Sequence, residues 1–287
     1  MPIRPPRFVR LTTRKVPYFY RRLTRRDLPK RLDFMIVGAA RSGTTTLDAY
    51  MRDHPQICMA AHKEVHFFDH DKHFHGKPNY RTYHANFAPK PVHKVIGEAT
   101  PSYMFWKTAP ERMHAYNSGL KLIMILRNPI DRAYSHWNLL RRQGLERLSF
   151  WEALQAEPER QRRAAPLQYH NAQIDGGRYV EQIERIWRYF PADQLLVLRF
   201  EDLQRSPKET LDQVYDYIGV DRQPFVREQV ANVGAYQAPM GDRERAYLTE
   251  IYEPEITALE ALLGWDCSDW LSKAPAALRL ESDATSA

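Results

Sequence analysis

The sequence predicts an α/β fold, a central parallel sheet covered by helices on both faces and so a three-layer α/β/α sandwich. Three observations predict it. Short apolar runs at residues 33–37, 121–126 and 195–200 have the length of buried strands, and 95–99 reads as a further strand edge. Segments with helical spacing of apolar residues lie between them, as parallel pairing requires. Gly38, Arg127 and Phe200 stand at the ends of three of these runs, which gathers them on the carboxyl edge of the sheet, where such folds bind ligands.

In chain order, Asp33 to Val37 is the first strand, followed by a Gly/Ser/Thr loop and a helix from Thr46 to Met51 that His54-Pro55 stops. Ile57-Cys58-Met59 fits a short strand, and Glu64 to Phe68 is expected as an extended, aromatic-rich segment. A loop full of His, Lys and Tyr runs to about Lys94. The strands Val95–Ala99 and Lys121–Leu126 follow, then a helix from Ile130 to Arg142. Helices are expected from Phe150, from Tyr179 to Tyr189, from Leu211 to Ile218 (stopped by Gly219) and from Arg243 to Leu263, with a strand over Leu195–Phe200.

A chain of 287 residues that is 43% hydrophobic supports one α/β domain, here residues 32–272, with a basic extension over 1–31 and a tail over 273–287. Cys58 and Cys267 are too few for a disulfide framework and have no metal-ligand spacing, and no apolar stretch reaches the length of a membrane span. These features predict a soluble, cytoplasmic protein. The net charge of +7 is misleading as a nucleic-acid signal, because residues 1–31 hold eleven Lys or Arg against Asp27 alone, leaving 31 bases and 34 acids in the rest. That asymmetry gives the tail an anionic surface as its expected partner, a membrane among them, and gives no sign of specific nucleic-acid recognition.

The loop Gly38-Ala39-Ala40-Arg41-Ser42-Gly43-Thr44-Thr45 follows the phosphate-binding pattern G-x-x-x-x-G-K-[S/T], except that Thr44 stands where Lys is expected. Glycines let the backbone approach an anion, and the following helix N-terminus adds a favourable dipole. These features suit any phosphate or sulfate. A nucleoside-triphosphatase or kinase would need the missing Lys for the β and γ phosphates, and the positive charge here sits earlier, on Arg41. Further on, Arg127 at a strand end and Ser135 eight residues later can converge on a second phosphate, the guanidinium through its fork and the hydroxyl as an added donor.

With that loop, three further segments appear in order: Lys63-Glu64-Val65-His66-Phe67-Phe68, Gly97-Glu98-Ala99-Thr100-Pro101-Ser102-Tyr103, and Arg127-Asn128-Pro129-Ile130-Asp131-Arg132-Ala133-Tyr134-Ser135. Together they resemble the sulfotransferase superfamily in its heparan sulfate and bacterial carbohydrate branch, with its K-E-x-x-F-F, G-E-x-[S/T]-P-x-Y and R-x-P-x-x-R-x-x-S segments. The resemblance covers residues 32 to about 220 and implies a P-loop-like fold that uses 3′-phosphoadenosine 5′-phosphosulfate (PAPS) as co-substrate, without a required metal. It implies that Arg41 takes the place of the family's catalytic Lys, that Arg41, Ser42, Gly43, Thr44, Thr45 and Thr46 bind the 5′-phosphosulfate, and that Arg127 and Ser135 bind the 3′-phosphate.

Glu64 is the general base that the resemblance implies, and His66 is the alternative base or an orienter of Glu64. In an extended segment the two would share one face while Lys63 and Val65 point away. Ala99 departs from the Lys of the heparan enzymes. The expected acceptor is a hydroxyl or amine of a carbohydrate, a glycolipid or a small metabolite. Residues 232–243 correspond to the loop that the family closes over the donor. The histidines between His62 and His93 show no clean metal-ligand pair and are expected to form a polar acceptor rim. Two other classes stay open: a Mg²⁺-dependent nucleotide-binding enzyme, and a membrane- or nucleic-acid-binding module built on the tail.

Overall fold

Five strands, all parallel, lie side by side in the order β2-β3-β1-β4-β5: β1 (Phe34–Gly38), β2 (Ile57–Met59), β3 (Val95–Ala99), β4 (Lys121–Leu126) and β5 (Leu195–Arg199). The computed structural model describes residues 28–163, 169–225 and 238–271. Most of the basic extension, the C-terminal tail and residues 232–237 of the expected closing loop lie outside them. In chain order the helices are α1 (Thr44–Asp53), α2 (Tyr80–His84), α3 (Ala109–Tyr116), α4 (Pro129–Arg142), α5 (Phe150–Arg163), α6 (Tyr179–Trp187), α7 (Phe200–Arg205), α8 (Pro207–Ile218), α9 (Asp242–Leu263) and α10 (Ser268–Leu271).

The two-residue alternation of a strand divides the core between the two faces. Phe34 and Ile36 of β1 and Ile123 and Ile125 of β4 face α1 and α8, packing with Leu47, Met51, Leu211 and Val214. Met35, Val37, Leu122, Met124 and Leu126 belong to the opposite layer, with Ile130 of α4, Ile183 and Ile186 of α6, and Leu248, Tyr252 and Ile256 of α9. Both faces are covered, so the central strands read as unbroken apolar runs. Neighbours of β1 lead off in opposite directions, which puts its carboxyl end at the switch point of the sheet.

Several elements differ from the sequence expectation. The strand expected over Leu195–Phe200 ends at Arg199, because Phe200 opens α7. Helices α2, α3, α7 and α10 were not expected, being short and lacking a long apolar period. Helix α5 runs on through Pro158. Glu64–Phe68 is not a strand: β2 ends at Met59, and the N–H groups of Val65 and Phe67 are taken by side-chain hydroxyls instead of a neighbouring strand.

Candidate active site

The loop after β1 is shaped by two close approaches. A Cβ on Gly38 would fall 1.8 Å from the Met104 sulfur, and Gly43, with φ of 89°, sits in the left-handed region against the Phe200 ring. The chain therefore turns sharply and delivers Thr44, Thr45 and Thr46 as the first turn of α1, whose early N–H groups have no partners within the helix. Thr44 and Thr45 line a cavity of about 570 Å³ together with Arg41, Glu64 and His66. Ser42 is fully buried, and Thr46 is not part of the lining.

On the other wall, the segment from Lys63 to Phe68 is pinned from below. Phe67 and Phe68 are buried in an aromatic cluster with Tyr83 and Tyr103. The N–H of Val65 donates to Thr100 Oγ1 (3.1 Å) and that of Phe67 to the Tyr103 hydroxyl (3.0 Å). Both hydroxyls in turn donate to the carboxylate of Glu98, at 2.7 and 3.1 Å, and Tyr83 donates to it at 2.5 Å. Glu98 itself is fully buried beneath the site. Burial drives its carboxyl up to about 7, and the three hydroxyl donors hold it from rising further.

Held this way, His66 adopts φ of 54° and its ring bridges two carboxylates: Nδ1 lies 2.7 Å from Asp69 Oδ2 and Nε2 lies 3.1 Å from Glu64 Oε2. The hydrogen bonds to Asp69 and Glu64 raise the imidazole to about 10 against the opposing effect of burial, so it is an imidazolium at neutral pH. Burial works to raise Glu64, but the His66 hydrogen bond and the nearby Lys63 charge outweigh it and hold the carboxyl below the usual range. Asp69, also accepting from Ser102 at 2.5 Å, is held low for the same kind of reason. Glu64 and His66 meet as the sequence suggested, although the backbone is not extended. Asp69, three residues past His66, was not singled out, since its partner is fixed by a turn and not by a strand.

The expectation that Lys63 points away is overturned. Its ammonium is 3.2 Å from Glu64 Oε1 and 3.5 Å from Thr44 Oγ1, inside the site, because the irregular backbone of 63–66 does not alternate its side chains. Arg41 has φ of 71°, and its Nε donates to Ser135 Oγ at 3.1 Å. Arg127 Nη1 donates to the Arg41 carbonyl at 3.3 Å and its guanidinium lies over the Phe200 ring, 5.1 Å from the centroid. Arg41, Arg127 and Ser135 are thus brought together behind the loop. The Tyr179 hydroxyl donates to the Arg127 carbonyl at 2.8 Å, so this residue fixes a strand end and is itself fully buried. Glu98 and Tyr103 do not reach the cavity, whereas Pro101 and Ser102 do.

Among the described residues, ligand atoms of His66, Asp69 and His70 lie within 4.8 Å of one another. Closing all three on a cation would compete with the hydrogen bond between Asp69 and His66. Arg41, Lys63 and Arg127 gather cationic side chains around the N-terminus of α1, an arrangement suited to anionic groups. No helix of the described residues is long and apolar enough to cross a membrane.

The Glu64 carboxylate and the N-terminus of α1 line one cavity at the switch point of a parallel sheet, an arrangement suited to group transfer. Comparison with known proteins names the group. Residues 31–238 match the family model described as the sulfotransferase domain. The chain is 30% identical over 204 residues to mouse heparan sulfate glucosamine 3-O-sulfotransferase 3A1, covering 69% of this chain and 47% of the relative. It is 27% identical over 283 residues to mouse bifunctional heparan sulfate N-deacetylase/N-sulfotransferase 3, covering 85% of this chain and 31% of the relative. The crystal structure of a sulfotransferase from Alicyclobacillus acidocaldarius superposes with a TM-score of 0.73 at 30% identity, covering 84% of this chain and 99% of that one. The chain belongs to the sulfotransferase family and spans about half the length of the 3-O-sulfotransferase it matches.

Proposed function

We propose that this chain transfers a sulfuryl group from PAPS to a hydroxyl or amine of a carbohydrate, a glycolipid or a small metabolite, releasing 3′,5′-adenosine bisphosphate. The observation that carries the reading is that the hydrogen-bonded chain Glu64–His66–Asp69 lines the same cavity as Thr44 and Thr45. PAPS supplies an activated sulfuryl group on a phosphate leaving group. Ser42, Gly43, Thr44, Thr45 and Thr46 hold the 5′-phosphosulfate through the loop and the first turn of α1, and Arg127 and Ser135 hold the 3′-phosphate.

Glu64 is the base. It is ionised at neutral pH and takes the acceptor's proton as that oxygen or nitrogen attacks, a contribution of about 10²–10⁴ in rate. His66 is assigned the positioning role and not that of base, because both ring nitrogens are engaged by carboxylates and the ring is already protonated. Asp69 fixes that ring, as the third member of such chains does elsewhere. A phosphotransferase is disfavoured by Thr44, which stands where the phosphate-loop pattern has its lysine, and by Glu98 at the end of β3 beside β1, whose buried carboxylate accepts from three hydroxyls and does not line the cavity. The heparan sulfate names of the relatives support a carbohydrate acceptor. A cytoplasmic setting, with the basic extension against an anionic membrane surface, belongs to the same proposal and is tested by deleting residues 1–31 and following vesicle association.

The test is Glu64→Gln. It should bind 3′,5′-adenosine bisphosphate with wild-type affinity and lose about 10²-fold or more in kcat. Unchanged kcat would remove Glu64 from the base role.

A further inference from the structure

The donor loop and the base occupy only part of the cavity lining, and much of the rest comes from one stripe of α4 and two aromatic side chains. His136, Leu139 and Leu140 of α4 and Gln143 just past its end follow the i, i+3, i+4, i+7 spacing of a single helix face, and all four line the cavity. The stripe starts one residue beyond Ser135, whose hydroxyl accepts from Arg41, and runs about 10 Å along the helix. Leu139 is half-buried and Leu140 buried. None of the four side chains carries a charge at neutral pH: burial of His136, with the Arg132 and Arg41 charges, pushes its imidazole down to about 3. Trp106 and Tyr169 add aromatic surface to the same lining, and the Trp106 indole N–H donates to Asp71 Oδ1 at 3.4 Å.

The charged groups of the lining are engaged elsewhere. Among the described residues its Lys and Arg side chains are Arg41, Lys63 and Lys72. Arg41 bonds Ser135, Lys63 bonds Glu64 and Thr44, and Lys72 follows Asp71, whose carboxylate is held by Arg112 at 2.5 Å. Glu64, Asp69 and Asp71 put three carboxylates into the lining, and the phosphates of a bound donor draw on the positive charge around the N-terminus of α1. An anionic acceptor would meet negative charge here, and like charges brought together oppose binding.

We propose that the acceptor is an uncharged amphiphile, with a hydroxyl-bearing head that meets Glu64 and an apolar arm that lies against Leu139 and Leu140 and the rings of Trp106 and Tyr169. This rests on the sulfotransferase reading and names the acceptor class of that same cavity. Covering apolar and aromatic surface with an apolar arm removes both from water, which is the main source of affinity in such a pocket. A sulfated polysaccharide would instead need Arg or Lys along this wall, where α4 supplies leucine.

The experiment is calorimetry on the full chain saturated with 3′,5′-adenosine bisphosphate, whose own binding is measured first. The probes are methyl β-glucoside, octyl β-glucoside below its micelle-forming concentration, and an N-sulfated heparosan hexasaccharide. Octyl glucoside should bind about tenfold tighter than methyl glucoside or more, since burying about two methylenes is enough for that ratio. It should also bind about tenfold tighter than the hexasaccharide. Leu139→Lys should bring the octyl-to-methyl ratio within about threefold, and Leu139→Asn reads the same ratio if the Lys variant does not fold. The assignment is overturned by equal wild-type affinity for the two glucosides, by a ratio that the Leu139 variants leave unchanged, or by tighter binding of the hexasaccharide. Protein that holds the bisphosphate but binds neither glucoside would overturn it too. Failure to bind the bisphosphate would remove the sulfotransferase reading, and the assignment with it.

Discussion

Replacing Glu98 by Gln tests the support beneath the base through a change in the pH dependence of stability. Glu98 is fully buried and its carboxyl is raised from 4.5 to about 7, with burial as the main cause. A carboxyl raised in the folded state contributes stability that is fully present below pH 4.5 and is lost as pH rises through 7. Over pH 5 to 8 that loss comes to about 2–3 kcal/mol, since a pKa unit is worth a little over 1 kcal/mol and part of the change precedes pH 5. Gln has no proton to release and drops this dependence. It also presents an amide N–H₂ to hydroxyls that now donate to a carboxylate, a mismatch costing about 1–3 kcal/mol at every pH. In urea titrations the wild type should therefore lead Glu98→Gln most at pH 5, and the gap should narrow by about 2–3 kcal/mol by pH 8. An identical gap at both pH values would refute the reasoning, because it would mean that Glu98 titrates as it does in the unfolded chain.

Asp69→Asn should lower the His66 pKa from about 10, because the largest support for the imidazolium is the Asp69 hydrogen bond. The alkaline limb of kcat/KM should then move toward neutral pH, and a limb that stays in place would show that His66 is not coupled to turnover. Thr100→Val, which strips the acceptor from the Val65 N–H, should destabilise by about 1–3 kcal/mol and lower kcat more than donor affinity, as read by chemical denaturation and single-turnover assays. Gly38→Ala forces a Cβ onto the Met104 sulfur and should cost about 1–3 kcal/mol by overpacking, with a lower melting midpoint as the readout.

The layered sheet was legible because β1, β4 and β5 carry continuous apolar stretches, the mark of a parallel strand covered by helices, whereas β3, with Gly97 and Glu98, lacks that continuity. The loop was legible through its spacing alone. Short helices such as α3 and α7 were not, since they hold too few turns to show a period. Within the site, Glu64 and His66 could be named from the segment they share, but their mutual contact depends on His66 taking a left-handed backbone and on hydroxyls from Thr100 and Tyr103, two residues over thirty positions away. Lys63 was placed on the wrong side for the same reason. Alternation holds for a strand, and this segment is fixed by side chains from another part of the chain.

The central claim is that the loop and Arg127 together hold a donor with phosphates at both its 3′ and 5′ positions. Calorimetry of 3′,5′-adenosine bisphosphate against ATP with Mg²⁺ tests it most directly. The bisphosphate should bind, ATP should bind far more weakly, and Arg127→Ala should abolish bisphosphate binding. Tight binding of ATP with Mg²⁺ and none of the bisphosphate would contradict the account.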